Sequence, residues 1–250
     1  LEPMVRHELI PYLNRRFGTH LPGCSLTVRF VGTGQSAIDQ SLREHVTLPA
    51  NVILNSSFEG GRVDFTFALP HDTPEDRAHL ESVKQQLVQH LGDYIYALDD
   101  TSLEQVVVRR LAQQGLTLAL AEVGSGAGLA ASIEGEPGVE NVLLGAYTAP
   151  TEQRLRQLLR VPDEAWAKCA SADERVELIA AATASATRSA WVLAVGEPGL
   201  DVGKNRSLTV VFRLPDGRQE SQRLGVRGSG QLARTSLVTQ LLDQLRRRLR

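Results

Sequence analysis

The hydrophobic pattern changes character partway along the chain. Between residues 25 and 98, "SLTVRFVG" reads as a strand and "GQSAIDQSLREHV" as a helix. "NVILNSSFEGGRVDFTFAL" reads as two strands around a Gly60–Gly61 turn, with Val63, Phe65 and Phe67 alternating with Asp64 and Thr66. "DTPEDRAHLESVKQQLVQHLG" carries apolar residues at helical spacing, with Asp72 or Thr73 as N-cap, Pro74 in the first turn and Gly92 as the stop. "DYIYAL" closes the series as a strand. The order βαββαβ predicts an α+β domain over 22–99, with two helices on one sheet. Ahead of it, Met4, Val5, Leu9, Ile10, Leu13 and Phe17 suit a short helix interrupted near Pro11. Residues 1–21 read as a connector from an upstream domain.

After Asp99 and Asp100, Thr101 and Glu104 have capping-box spacing, which marks a boundary. The pattern then predicts helix 102–114, strand 116–122, a glycine loop, helix 127–134 and strand 141–148. Helices near 151–159 and 172–188, strands 190–195, 207–214 and 219–227, and a terminal helix 230–249 follow. Strands alternating with helices predict an α/β three-layer sandwich over 100–250. In the terminal helix Leu232, Leu237, Leu241, Leu245 and Leu249 form an apolar stripe. The four arginines of the last five positions read as a solvated tail that offsets the helix dipole.

Composition narrows the function classes. The net charge of −2 divides into −4 over residues 1–99 and +2 over 100–250, with no basic stripe, so nucleic acid is not an expected partner. No apolar run reaches eighteen residues, so no membrane-spanning helix is expected. Cys24 and Cys169 fall in different predicted domains without a CxxC partner and read as buried free thiols in a reducing, cytoplasmic setting. All six histidines precede residue 91. Chemistry in the second half therefore excludes a Ser-His-Asp triad and a histidine-ligated metal, leaving a carboxylate, Tyr147, Lys168 or Lys204 as base.

Three glycine-rich turns are candidates for ligand contact. "FVGTGQSAID" at 30–39 reads as a tight turn needing positive φ. "AEVGSGAG", with Glu122, Gly124, Ser125 and Gly126, follows a strand and opens a helix, which is the context of an anion at a helix N-terminus. It lacks the GxGxxG spacing and the lysine of a Walker loop, and Ser125 is its one hydroxyl. "AVGEPGLDVGKNRS" at 194–207, with Gly196, Lys204 and Arg206, follows another strand. Two such loops at the carboxyl ends of neighbouring strands build one crevice. Arg234, in the first turn of the last helix, lies near a glycine-flanked N-terminus and points toward an anionic ligand.

These residues resemble the CinA (competence/damage-inducible) family over nearly the whole chain. "FVGTGQSAI" is similar to the family's "FGIGESAI", and "LGDYIYALDDTSLEQVVVRRL" to its domain junction, which implies a KH-like fold for residues 22–99. "GLTLALAEVGSGAGLAASI" is similar to "GLTLAVAESCTGGLLAARL" of the C-terminal domain, whose stand-alone relatives are nicotinamide-nucleotide amidohydrolases. Family members also carry an N-terminal domain similar to molybdopterin-biosynthesis proteins and linked to ADP-ribose pyrophosphatase activity. No counterpart of it is expected here.

The resemblance implies Ser, Tyr and Lys chemistry. "AESCTGG" aligns with Ala121–Ala127 and places the family nucleophile at Val123. "FLGGVVTYSNEAKVRLLGV" aligns with 143–161 and places the Tyr at Pro150 and the Lys at Leu155. The family's "PGDR" becomes "RGSG" at 227–230. Glu122, the loop glycines, Ser125 at a family Thr position and Arg234 at a family Arg position remain. The expectation is a degenerate amidohydrolase-like domain in a homo-oligomer. It keeps a pyridine-nucleotide ligand on Glu122, Gly124, Ser125, Gly126, Gly196 and Arg234, without cofactor or metal. The alternative is an active nicotinamide mononucleotide amidohydrolase using Ser125 as surrogate nucleophile.

Overall fold

The computed structural model describes residues 2–17, 23–200, 206–226 and 228–249. Lys204 and Arg227 therefore lie outside the described residues. The chain divides into two compact units, one of Leu1–Glu59 with Val63–Asp100, the other of Gly60–Arg62 with Thr101–Arg250.

The first unit begins with α1 (Glu2–Met4) and α2 (Ile10–Phe17), joined by a π turn at Val5–Leu9. The helix runs through Pro11 instead of breaking there, the wider π turn just before it loosening the ladder at the point where proline has no N–H to give. β1 (Cys24–Val31), α3 (Gln35–His45), β2 (Ile53–Glu59), β3 (Arg62–Leu69), α4 (Pro74–Leu91) and β4 (Ile95–Ala97) follow, in sheet order β2-β3-β1-β4. Gly60 and Gly61 have φ +56° and +88°, the left-handed values a two-residue hairpin turn requires.

Alternation builds this core. Val63, Phe65 and Phe67 of β3 point inward with Val28 and Phe30 of β1, and meet Ile38, Leu42, Val83 and Leu87 from the two helices. Thr73 caps α4 through a capping box with Asp76. Gly92 ends α4 in the right-handed region (φ −54°), so the helix closes without the left-handed glycine stop expected from the sequence.

In the second unit the cap falls on Ser102, one residue later than the Thr101 box, with its side chain accepting from Gln105 N–H at 2.9 Å. α5 (Leu103–Gln113), β5 (Leu118–Glu122), α6 (Gly128–Ile133), β6 (Leu143–Thr148) and α7 (Glu152–Leu158) come next. A short α8 (Asp163–Ala167), absent from the sequence reading, precedes α9 (Ala172–Thr187) and β7 (Trp191–Val195). β8 (Gly199–Leu200), β9 (Arg206–Arg213), β10 (Gln219–Val226) and α10 (Gly230–Arg248) complete the unit.

The sheet order is β10-β9-β7-β5-β6, with β8 on β9. β5 runs parallel to β6 and β7, and β9 is antiparallel to its neighbours. Every residue of β5 and β7 is buried, as central strands covered on both faces must be.

The end of the chain departs from the solvated tail. Arg246 is buried and ion-paired with Asp243 at 2.7 Å, Arg247 reaches the other oxygen of Asp243, and Arg248 lies 4.0 Å over the Phe212 ring. A buried carboxylate on α10 holds the cations in. Leu232 is 81% exposed and outside the apolar stripe, while Leu237, Leu241, Leu245 and Leu249 are buried. Cys24 and Cys169 are free thiols as expected, but half-buried.

Candidate functional site

The glycine loop is organised by its acidic residue. Glu122 ends β5 fully buried, and its carboxylate accepts from Ser125 Oγ at 2.6 Å, Leu129 N–H at 3.0 Å and Ala130 N–H at 2.8 Å. These amides belong to the first turn of α6, whose N-cap, Ala127, has no side-chain acceptor of its own. Glu122 thus caps the helix from within the sheet, and its charge meets the positive end of the helix dipole. Ala127 sits at φ 64°, ψ 7°, a left-handed conformation that suits glycine, which is what the resembled family pattern has there.

Gly124 and Gly196 mesh the loops after β5 and β7. Gly124 N–H donates to Gly196 O at 3.1 Å, and a Cβ on Gly124 would lie 2.5 Å from that oxygen. A Cβ on Gly196 would lie 2.7 Å from Val176 and 2.8 Å from Glu152 Oε1. Both glycines are there because backbones approach closely.

The three positions of the resembled catalytic pattern are apolar in fact as well as in sequence. Val123 and Leu155 share one buried cluster with Ala121, Val176, Ile179 and Ala194, and Tyr147 packs against it. Leu155 is fully buried. Pro150 is exposed and lines the neighbouring crevice.

That crevice measures about 250 Å³ and lies between the loops after β5 and β7 and the start of α10. Val123, Pro150, Pro198, Val226 and Leu237 give it apolar walls; Gly124, Gly126, Gly228, Ser229 and Gly230 give it backbone; Arg206 and Arg234 give it charge. Arg234 lies across Gly126, its guanidinium carbon 3.7 Å from where a Cβ would stand. Ser229, the N-cap of α10, makes no side-chain capping bond. Such an arrangement binds anions: fixed amides, a helix dipole and two cations around one space.

Gly124, Gly126 and Arg234 line this one crevice. Glu122, Ser125 and Gly196 do not line the crevice. Ser125 is fully buried and its hydroxyl donates to Glu122.

A second arrangement beside the crevice was not foreseen. The Glu152 N–H donates to Glu197 Oε1, and Glu197 N–H donates to Glu152 Oε1 at 2.9 Å. This reciprocal clasp joins the start of α7 to the loop after β7. Burial, and after it the Glu197 charge, push the Glu152 carboxyl above its ordinary range against the opposing pull of the Glu197 amide and Arg175. An exposed acid following the glycine in "GEPG" was its one signal in the sequence.

A mixed α/β chain with two sheets, β5 of the second running parallel to β6 and β7, defines a class, that of α/β proteins. The family model described as the CinA C-terminal domain matches residues 100–249, and the chain belongs to the CinA family. It is 27% identical over 259 residues to a competence-damage inducible protein of Clostridium botulinum, covering all of this chain and 62% of that protein. It is 31% identical over 165 residues to a CinA-like protein of Dictyoglomus turgidum, covering 65% of this chain and 39% of that one. The chain thus spans less than two thirds of these relatives' length.

Among solved structures, a competence or damage-inducible protein from Enterobacter asburiae superposes with a TM-score of 0.51 at 16% identity, covering 60% of this chain and all of that one. A CinA superfamily protein from Enterobacter cloacae superposes with a TM-score of 0.50 at 19% identity, covering 62% and 96%. At these identities the likeness is one of fold. No helix among the described residues is long and apolar enough to cross a membrane.

Proposed function

We propose that residues 100–250 form a degenerate nicotinamide-nucleotide amidohydrolase-like domain of three-layer α/β type, following a KH-like domain over 22–99. The domain binds a phosphorylated pyridine nucleotide without hydrolysing it. One observation carries the reading: Arg206 and Arg234 line a single crevice with the uncapped start of α10, and neither guanidinium has a hydrogen-bond or ion-pair partner among the described residues. The phosphate occupies that charged end. The ring lies against Val123 and Pro150, where a nucleophile and its activator are missing. Loss of such groups together removes on the order of 10⁶-fold of rate in a serine enzyme.

The test is calorimetric titration with nicotinamide mononucleotide, paired with an ammonia assay on the same sample. Binding without ammonia release, weakened about tenfold or more by Arg234→Ala, is the expected result. Ammonia release abolished by Ser125→Ala would overturn the reading in favour of an active enzyme. Absence of binding would leave the domain an assembly module.

A further inference from the structure

The crevice has two chemically different ends. Arg234 lies across Gly126, its guanidinium carbon 3.7 Å from where a Cβ would stand; a Cβ on Gly124, two residues earlier, would meet Pro198 at 3.5 Å. The glycine loop therefore runs from the arginine toward the segment 196–198. No carboxylate is among the described residues of the crevice wall, but two stand directly behind its proline side. Glu197 precedes Pro198, and Glu152 follows Pro150 by two positions.

The clasp between these acids fixes where the charge sits. Glu197 Oε1 accepts from the Glu152 N–H, the first amide of α7, and Glu152 Oε1 accepts from the Glu197 N–H at 2.9 Å. Two residues of chain span at most about 7 Å, so the Glu197 carboxylate stays close to the Pro150 wall. Glu152 is buried whereas Glu197 is exposed, so the charge a ligand meets is that of Glu197. Its Oε2 has no hydrogen-bond or ion-pair partner among the described residues. Arg175 of α9, the cation that draws on Glu152, stacks 5.7 Å over the Trp166 ring and makes no ion pair with either acid among the described residues.

We propose that this two-ended charge selects the oxidised, cationic form of a pyridine nucleotide over the reduced, neutral form, with Glu197 as the specificity-determining residue. The inference rests on the reading of the crevice as a pyridine-nucleotide site. With the phosphate at Arg206 and Arg234, the ring lies one pentose away against Val123 and Pro150, on the side of Glu197. Reduction of the ring adds a hydride and removes its positive charge, while its size and outline stay nearly the same. Apolar walls alone favour the reduced ring, because taking a cation out of water is costly. A carboxylate just behind the wall reverses that order, and across such a distance near a protein surface its attraction amounts to about fivefold or more in affinity.

Calorimetric titration of the full chain with oxidised and with reduced nicotinamide mononucleotide tests this, with circular dichroism confirming that each variant is folded. The wild type is expected to bind the oxidised form about fivefold or more tightly, and the ratio to shrink as salt rises toward about 1 M. Glu197→Gln, which keeps an acceptor for the Glu152 N–H, brings the ratio to about one or below. Arg234→Ala weakens both forms together. Equal affinities in the wild type, or a preference that survives in Glu197→Gln, would overturn the proposal while the reading of the site stands. Binding of neither form would overturn both. The wild-type comparison decides by itself if a variant does not fold.

Discussion

The Ser125 hydroxyl donates to the Glu122 carboxylate at 2.6 Å, and both side chains are fully buried. The serine completes a helix cap. Ser125→Ala is expected to cost about 2 kcal/mol of stability, the range for a hydrogen bond to a charged group. Glu122→Gln costs more, because the amide keeps one acceptor oxygen and turns its NH2 toward the N–H of either Leu129 or Ala130. Chemical denaturation of the three proteins gives both values.

Ala127 occupies a conformation costing roughly 1–2 kcal/mol for a residue with a Cβ. Ala127→Gly removes that cost and adds a little backbone entropy to the unfolded chain. The net expectation is a gain of about 0.5–1 kcal/mol, read as a higher midpoint in the same denaturation experiment.

Restoring a hydroxyl does not restore a site. Val123→Ser places one inside the Val176–Ile179 cluster and is expected to cost about 1–3 kcal/mol without ammonia release from nicotinamide mononucleotide. Leu155→Lys buries an ammonium at a fully enclosed position and costs above about 3 kcal/mol, lowering the thermal midpoint far more than Val123→Ser does.

Glu152 titrates above its ordinary value, with burial as the main cause and the Glu197 charge adding to it. A carboxyl raised on folding contributes stability that is fully present below its unfolded pKa and lost as pH climbs through the raised one. Glu152→Gln keeps an acceptor for the Glu197 N–H and has no charge to bury. Its melting temperature relative to wild type is therefore expected to rise as pH goes from about 4 toward neutrality. Scanning calorimetry across that interval checks the sign; a constant difference removes Glu152 from the account.

The architecture was largely written in local pattern. β5 and β7 are apolar runs of strand length, the β2–β3 turn is a glycine pair, and Thr73 precedes Pro74 where a cap belongs. What was hidden depends on which way each side chain turns once the backbone is folded. The helix cap on α6 comes from a strand residue, Glu122. Arg246 is drawn inward by Asp243, and Leu232 faces solvent at the helix start, outside the buried stripe. The crevice was half legible: Gly124, Gly126, Arg206 and Arg234 could be named, whereas the orientation of Ser125 could not, because spacing says nothing about which way a loop hydroxyl turns.

Gly124 and Gly196 leave no room for a single added carbon where their loops cross. The floor under the crevice is consequently rigid before any ligand arrives. Any side chain at either position would have to part the loops that carry Val123 and Pro198.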